Sequence, residues 1–156
     1  MKNVCVSTLF AEDVRHEQSG QVSLIGVFDD IAEVSKLPTD TLKISLFTTV
    51  STLVDDPFCP TSFRVFLSNG VTVISQDLPD KLADVQVAAI THQKESNPEQ
   101  SWISMRVIIL LNSLKITEET SLEVEFEDSA GRKTKSNALA IKQKNKPPST
   151  NISATG

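Results

Sequence analysis

The chain has 156 residues, carries a net charge of −5 at neutral pH and has an apolar share of 39%. A chain of this length favours one domain with its own core, since it buries roughly two thirds of the surface that its unfolded form exposes. Aromatic residues are scarce and tyrosine is absent, whereas Val, Ile, Leu, Ser and Thr are abundant, and this composition favours β-strands.

Charge is unevenly distributed along the chain. All acidic residues precede residue 142, whereas Lys142, Lys144 and Lys146 make the carboxyl-terminal segment basic. Phosphate backbones are bound by clustered Lys and Arg, and the acidic body of the chain has no such stripe. The sequence therefore predicts no nucleic-acid partner.

Cysteine usage and hydropathy indicate a reducing, non-membrane environment. Cys5 and Cys59 are too few for a disulfide scaffold and form no Cys-x-x-Cys pair. The first apolar segment is too short for a signal peptide and meets acidic residues at 12–13. Residues 107–111, the longest strongly aliphatic run, fall far short of a membrane span. We expect a cytoplasmic protein with no membrane segment.

The first half of the chain predicts a hairpin followed by a third strand. Residues 4–14 have apolar side chains on both faces of an extended segment, which indicates a strand inside a sheet rather than at its edge. Gly20 provides a turn, and residues 22–28 return as the antiparallel partner. Residues 42–50 are the third predicted strand.

The middle of the chain contains the clearest turn signal. Asn69-Gly70 lies between two β-branched, apolar runs at 63–67 and 71–74, which predicts a tight hairpin. Residues 78–85 predict a short helical turn that leads into a strand over 85–89.

Beyond the middle, a predicted polar loop over 92–101 precedes an increasingly apolar stretch at 102–111, which is typical of a central strand covered on both faces. Near the carboxyl end, Leu122, Val124 and Phe126 alternate with glutamates 123, 125 and 127. Three basic residues follow a Gly131 turn and are expected to pair with those glutamates: Arg132, Lys133 and Lys135. Leu139 and Ile141 are expected to complete the core.

About eight or nine short strands with little helix predict an all-β fold, an antiparallel two-sheet sandwich that is immunoglobulin-like in the broad sense. Residues 1–141 are expected to form this single domain. Residues 142–156 lack apolar periodicity and predict a disordered basic tail rich in Pro, Ser and Thr.

The sequence displays no catalytic constellation. His16 and His92 lie outside any metal-spaced or nucleophile-bearing motif, and the glycines form no phosphate-binding pattern. The acidic pairs at 29–30 and 55–56 could meet on a calcium ion, but solvated loop residues are the simpler interpretation. We therefore predict no catalytic residues, no metal and no cofactor.

The charged segment before Gly20 is the best candidate site. Asp13, Arg15 and Glu17 share one face of an extended chain, so Arg15 would lie between two carboxylates, with His16 beside them. The set either forms an ion-pair ladder that fixes the first hairpin or binds an anionic group of a partner or ligand.

Residues 13–28 carry the motif D-V-R-x-E-x-x-G-Q-x-S-L-I-G-V-F. This motif resembles the opening segment of a family of uncharacterised bacterial and phage-borne proteins, described as a domain of unknown function. Members end on a strand pair similar to residues 121–126 and their return, although their usual Pro-Gly before that pair is Glu119-Thr120 here. The resemblance implies a compact β-sandwich and brings no activity, substrate or catalytic residue.

Two functions fit these observations. The first is a non-catalytic protein-binding module in a cytoplasmic assembly of bacterial or phage origin. The second is the binding or sequestering of a small ligand such as a nucleotide or sugar, with Arg15, His16 or Arg106 meeting an anion. An enzyme ranks third, because the convergent groups it needs are not displayed. The sequence leaves homo-oligomerisation open.

Overall fold

A computed structural model describes residues 3–99 and 101–145. This part of the chain contains ten strands and one helix. In chain order they are β1 Val4–His16, β2 Val22–Phe28, β3 Ile31–Val34, β4 Thr39–Leu53, β5 Pro60–Leu67, β6 Thr72–Asp77, α1 Asp80–Ser96, β7 Trp102–Ile116, β8 Thr120–Asp128, β9 Lys133–Lys135 and β10 Leu139–Gln143.

The strands form two sheets, and the predicted all-β sandwich is confirmed. The first sheet has four strands in the order β2-β1-β4-β7, all antiparallel. The second has the order β3-β10-β8-β5-β6, and β9 also pairs with β8. Its β3–β10 pair is parallel, so this sheet is mixed rather than wholly antiparallel.

Inward-facing side chains of both sheets form one core. Leu122, Val124 and Phe126 are fully buried on β8, as their alternation with glutamates predicts. The rings of Phe63 and Phe126 lie 6.1 Å apart at a tilt of 44°, a common arrangement of aromatic pairs. The predicted core position of Leu139 is likewise confirmed.

Both predicted hairpins are confirmed. β1 and β2 pair through a turn in which Gly20 has φ +81° and its N–H donates to the Glu17 carbonyl over 3.0 Å. β5 and β6 pair through the turn at Asn69-Gly70, where Gly70 has φ +89°. β1 lies between β2 and β4, as expected for a strand inside a sheet.

The glutamate face of β8 pairs with basic residues, as predicted, with one exception. Lys133 lies 3.1 Å from Glu127, and the Lys135 ammonium lies 4.0 Å from Glu123. Arg132 instead turns to Asp128, which is almost wholly buried and accepts its Nε–H over 2.6 Å. The Asp128 carboxylate also accepts the Arg132 backbone N–H, so this residue closes the β8–β9 turn.

The strand predicted over residues 85–89 is wrong, and so is the first half of the loop predicted over 92–101. Helix α1 covers residues 80–96. Leu82, Gln86 and Ile90 recur at helical spacing and turn inward, whereas Val85 and Val87 are exposed. Ile90 is the one buried residue of the helix, and Gln86 on the same inward face is polar. The apolar periodicity of the helix is therefore weak in the sequence.

Two further predictions about strands require correction. β7, predicted to be a central strand covered on both faces, is the edge of the four-stranded sheet. β3 was not predicted, because its four residues follow β2 after only a short connection, yet Ala32 and Val34 are buried and their neighbours are exposed. β3 carries the chain from one sheet to the other.

The predicted boundary between domain and tail is also displaced. β10 continues through Lys142 and Gln143, which pair in parallel with Glu33 and Val34 of β3. These two residues are therefore strand rather than tail. Residues 144–145 follow the strand, and the predicted tail from residue 146 onward lies outside the described residues.

Gly26 occupies a position in β2 at which any larger residue would be strained. The register of β1 and β2 places it opposite Glu12, and its φ is +63°. A Cβ at this position would lie 2.7 Å from Glu12 Oε2. Gly20 also has a positive φ, but a Cβ there would meet no atom within 4 Å. Gly26 therefore carries a steric constraint that Gly20 lacks.

We expect Gly26→Ala to lower the free energy of unfolding by about 2–3 kcal/mol, because a left-handed backbone and a displaced Glu12 side chain both cost energy. Gly20→Ala should cost only the backbone part, about 1–2 kcal/mol. Urea denaturation measures both losses in the free energy of unfolding. When Glu12→Ala is also present, the loss caused by Gly26→Ala should fall close to that caused by Gly20→Ala. Equal losses in the two single variants would contradict the close approach of Glu12.

Candidate functional site

The outer face of the four-stranded sheet is defined by strand alternation. Phe10 of β1 and Leu46 of β4 are buried in the core. Successive side chains of a strand point to opposite faces, so Leu9 and Phe47 point away from the core. The same parity holds along β7, where Ile109 joins the core and Leu110 is on the outside.

Strand register gathers the outward apolar side chains into one band across the sheet. One row contains Leu9, Phe47 and Ile108. The adjacent row runs from Val27 through Ala11 and Ser45 to Leu110. Ile25 lies two residues before Val27 on β2 and points to the same side. Together these seven apolar residues form a surface that we call the apolar belt: Leu9, Ala11, Ile25, Val27, Phe47, Ile108 and Leu110.

Four of the seven side chains of the apolar belt are exposed, whereas Ala11 is buried among them. The exposed fractions of Leu9, Val27 and Leu110 are 51%, 48% and 54%. The solvated face of an antiparallel sheet is normally polar, and contiguous apolar patches on a protein surface mark sites of interaction. The belt is therefore the strongest candidate for a binding surface on the four-stranded sheet.

Ser45 lies within the apolar belt and shows that its neighbours cover this position. The residue is fully buried, and its hydroxyl has no hydrogen-bond partner among the described residues. Thr8 and Thr48, which face the core, instead share a hydrogen bond of 2.8 Å between their hydroxyls. The burial of the Ser45 hydroxyl indicates that its outward-pointing apolar neighbours cover this position.

A charged cluster borders one end of the apolar belt. Asp13 accepts a hydrogen bond from Arg15 Nε over 3.3 Å and contacts Lys43 Nζ over 3.3 Å. These two cations, Arg15 first, hold the pKa of the Asp13 carboxyl below its ordinary value of 3.8. The Asp13 carboxyl therefore stays charged at neutral pH. His16 lies exposed at the end of β1, opposite Val22.

The predicted ladder of Asp13, Arg15 and Glu17 is only half formed. β1 ends at His16, so Glu17 leaves the strand and opens the turn, where its N–H donates to the Gln21 carbonyl. Arg15 has Asp13 as its only ion-pair partner among the described residues. The second partner of Asp13 comes from β4, so the cluster ties β1 to β4 and does not clasp the first hairpin.

A polar border closes the other end of the apolar belt. Ser51 and Ser104 face each other across β4 and β7 with a hydrogen bond of 2.7 Å. Arg106 lies on the same face, with its guanidinium 5.9 Å from the centre of the Phe47 ring. An apolar centre with hydroxyl and charged borders is the arrangement found in protein interfaces.

The anion-binding residues of the small-ligand hypothesis do not converge. Arg106 pairs with Thr49, which pairs with Ser7 of β1, and Arg15 lies eight residues further along that strand. At about 3.3 Å per residue the two guanidinium-bearing positions are about 26 Å apart along the sheet. No group of three metal-ligating side chains occurs within residues 3–99 and 101–145.

The acidic pair at 55–56 has structural partners. Asp56 accepts hydrogen bonds from Asn3 over 2.7 Å and from Arg132 over 3.0 Å, and these partners lower its pKa. Asp55 lies 3.5 Å from Lys94 of α1. Both carboxylates thus hold the loop before β5 against neighbouring elements.

A small cleft lies between α1 and the sandwich. It has a volume of about 150 Å³ and is lined by mainly apolar side chains, among them Leu82, Ala89 and Met105. Cys59 lines it as well, and burial raises the pKa of the thiol. Ligand pockets for drug-sized molecules are about 300–1,000 Å³, so this cleft is small for a nucleotide or an oligosaccharide.

Comparison of the chain with protein families, with curated proteins and with solved structures finds no significant match. Within the described residues, no helix is both long enough and apolar enough to cross a lipid bilayer.

Sequence reasoning found Asp13 and Arg15 but missed Lys43 and the apolar belt. The signal for the belt was present, because residues 102–111 are apolar on both faces. That pattern predicts a buried central strand, whereas on its outer face Ile108 is only partly buried and Leu110 is exposed. Lys43 could not be placed without the register of β1 and β4.

We expect Ser45→Ala to leave the free energy of unfolding within about 0.5 kcal/mol or to raise it, because a buried hydroxyl without a partner contributes no net stability. Thr48→Val keeps the shape of Thr48 but leaves Thr8 unpaired, and should cost about 1–3 kcal/mol. Urea denaturation of both variants measures the difference. A loss as large for Ser45→Ala as for Thr48→Val would mean that the Ser45 hydroxyl is paired.

Proposed function

We propose that the chain is a non-catalytic protein-binding module that engages its partner through the apolar belt. The carrying observation is a patch of apolar side chains on the outer face of the four-stranded sheet, among which Leu9, Val27 and Leu110 are about half exposed. The resemblance of residues 13–28 to bacterial and phage-borne proteins supports a role in a cytoplasmic assembly of such an origin.

The borders of the apolar belt support the proposal. Protein interfaces combine an apolar centre with a polar rim that sets orientation and association rate more than affinity. The cluster of Asp13, Arg15 and Lys43 provides such a rim at one end, and Arg106 with its neighbouring hydroxyls provides one at the other. Asp13 and Arg15, two of the residues singled out from the sequence, thus serve the contact as part of its charged edge.

The small-ligand hypothesis has weaker support. Its proposed anion-binding residues are dispersed along the sheet, and the cleft beside α1 is apolar and small. A nucleotide or sugar would require polar groups that converge on one pocket. The protein-binding proposal accounts for an observed surface, whereas the ligand proposal would need a second chain to build its site.

We expect Leu110→Lys to abolish partner binding without unfolding the protein, because a charge in the centre of an apolar contact must be desolvated. The matched control is Val71→Lys, since Val71 has the same exposed fraction of 54% but lies beyond the turn that joins β5 and β6. Affinity purification from the source cell with each tagged chain, together with thermal denaturation, measures both effects.

The wild type and Val71→Lys should retain the same co-purifying protein, and Leu110→Lys should lose it while melting within a few degrees of the control. Retention of that protein by Leu110→Lys would contradict a contact at the apolar belt. Loss from both variants would place the contact elsewhere on the surface.

A further inference from the structure

We propose that the occupant of the apolar belt is a second copy of this chain, related by a two-fold axis that runs parallel to the strands between β1 and β4. This inference rests on the proposed function, because it names the partner for the same surface. Its basis is that the outer face of the four-stranded sheet is complementary to itself under this one rotation.

The rotation reverses the order of the strands across the sheet. It leaves each row of side chains at the same position along the strand direction. β1 of one copy then faces β4 of the other, and β2 faces β7. In the first row of the apolar belt, Leu9 lies opposite Phe47 of the second copy. In the next row, Val27 lies opposite Leu110. These four large apolar side chains thereby meet one another in pairs.

The same rotation pairs opposite charges. Asp13 and Lys43 each lie two residues beyond the Ala11–Ser45 pair on neighbouring strands, and their side chains are 3.3 Å apart within one chain. Asp13 of each copy therefore faces Lys43 of the other, and two carboxylates and two ammonium groups form a closed set at the rim. Opposite charges across an interface favour the correct alignment and oppose others.

The alternative in-plane rotation, about an axis across the strands, lacks this agreement. It inverts the rows about the middle of the apolar belt, so that Asp13 faces Ser7 and Lys43 faces Thr49. The charged cluster then meets uncharged hydroxyls, and no ion pair forms between the copies. Charge complementarity therefore selects the axis parallel to the strands.

The face is large enough for a stable dimer. Four strands at about 4.8 Å spacing and thirteen residues at about 3.3 Å each give a face on the order of 800 Å². Stable interfaces bury about 800 Å² on each partner. In aligned sheet packing the strand directions of the two sheets differ by about 30°. The two-fold axis gives this angle when the strands of each copy run at about 15° to it.

Charge reversal tests both the dimer and its axis in the full-length chain. Sedimentation equilibrium of the wild type should give twice the mass of one 17.1 kDa chain. Asp13→Lys places lysines opposite each other twice, and Lys43→Asp does the same with carboxylates. Each should raise the dimer dissociation constant about tenfold or more.

Mixing the two variants is the decisive step. In a mixed dimer Lys at 13 faces Asp at 43, and Lys43 faces Asp13, so both contacts between the copies are restored. The mixture should therefore form heterodimers, detectable by native mass spectrometry, under conditions in which each variant alone is monomeric. Asp77→Lys, which reverses an exposed charge on β6 of the other sheet, is the control and should dimerise as the wild type does.

High salt provides a second readout. The Debye length falls from about 10 Å at 0.1 M salt to about 3 Å at 1 M, so the differences among variants should shrink in 1 M salt. Thermal denaturation of each variant verifies folding, because the reversals also remove the contact between residues 13 and 43 within one chain.

Three outcomes would overturn the inference: a monomeric wild type at high concentration, a dimer that both charge reversals leave unchanged, or reversals that mixing does not rescue. A monomeric chain that still loses a co-purifying protein on Leu110→Lys would overturn the second copy alone and leave the protein-binding function standing. A dimer that Leu110→Lys leaves intact would overturn the use of the apolar belt for self-association.

Discussion

The alternation of side chains along β1, β4 and β7 is the constraint on which the other features depend. Apolar residues occupy both alternating sets in these strands, so one set builds the core and the other is directed outward. Strands that are apolar on both faces normally lie between two covering layers. Within the described residues the four-stranded sheet has only one such layer, the second sheet. The proposed partner is the missing cover of the apolar belt.

Charge and backbone geometry complement this hydrophobic constraint. Exposed ion pairs contribute little to stability, so the cluster around Asp13 matters for alignment more than for folding. Because the pKa of Asp13 is lowered, its pairing with Arg15 and Lys43 is complete above its ordinary value of 3.8 and is lost as pH falls through the lowered one. Gly26 brings β2 close to Glu12 of β1, which by strand alternation lies on the side of the sheet opposite Asp13.

The sequence predicts the architecture well because its strand signals are local. The Asn69-Gly70 turn, the alternation from Leu122 to Phe126 and the Gly20 hairpin each follow from a few neighbouring residues. Helix α1 was predicted only as a short turn over 78–85, because its inward face is weakly apolar. The apolar belt joins residues from four strands that are distant in sequence, so only the register of the sheet reveals it. Asp13 was found, but its partner Lys43 lies thirty residues away on another strand.

Hydroxyl-radical footprinting of the purified chain at low and high protein concentration tests most directly whether the apolar belt is covered by a partner of its own kind. The account predicts that oxidation of Leu9, Phe47 and Leu110 falls severalfold at high concentration, while Val71 and Val85, which are exposed elsewhere, react equally at both. Equal oxidation of the apolar belt at both concentrations would contradict the account, because a face buried by self-association must lose solvent contact as dimers form.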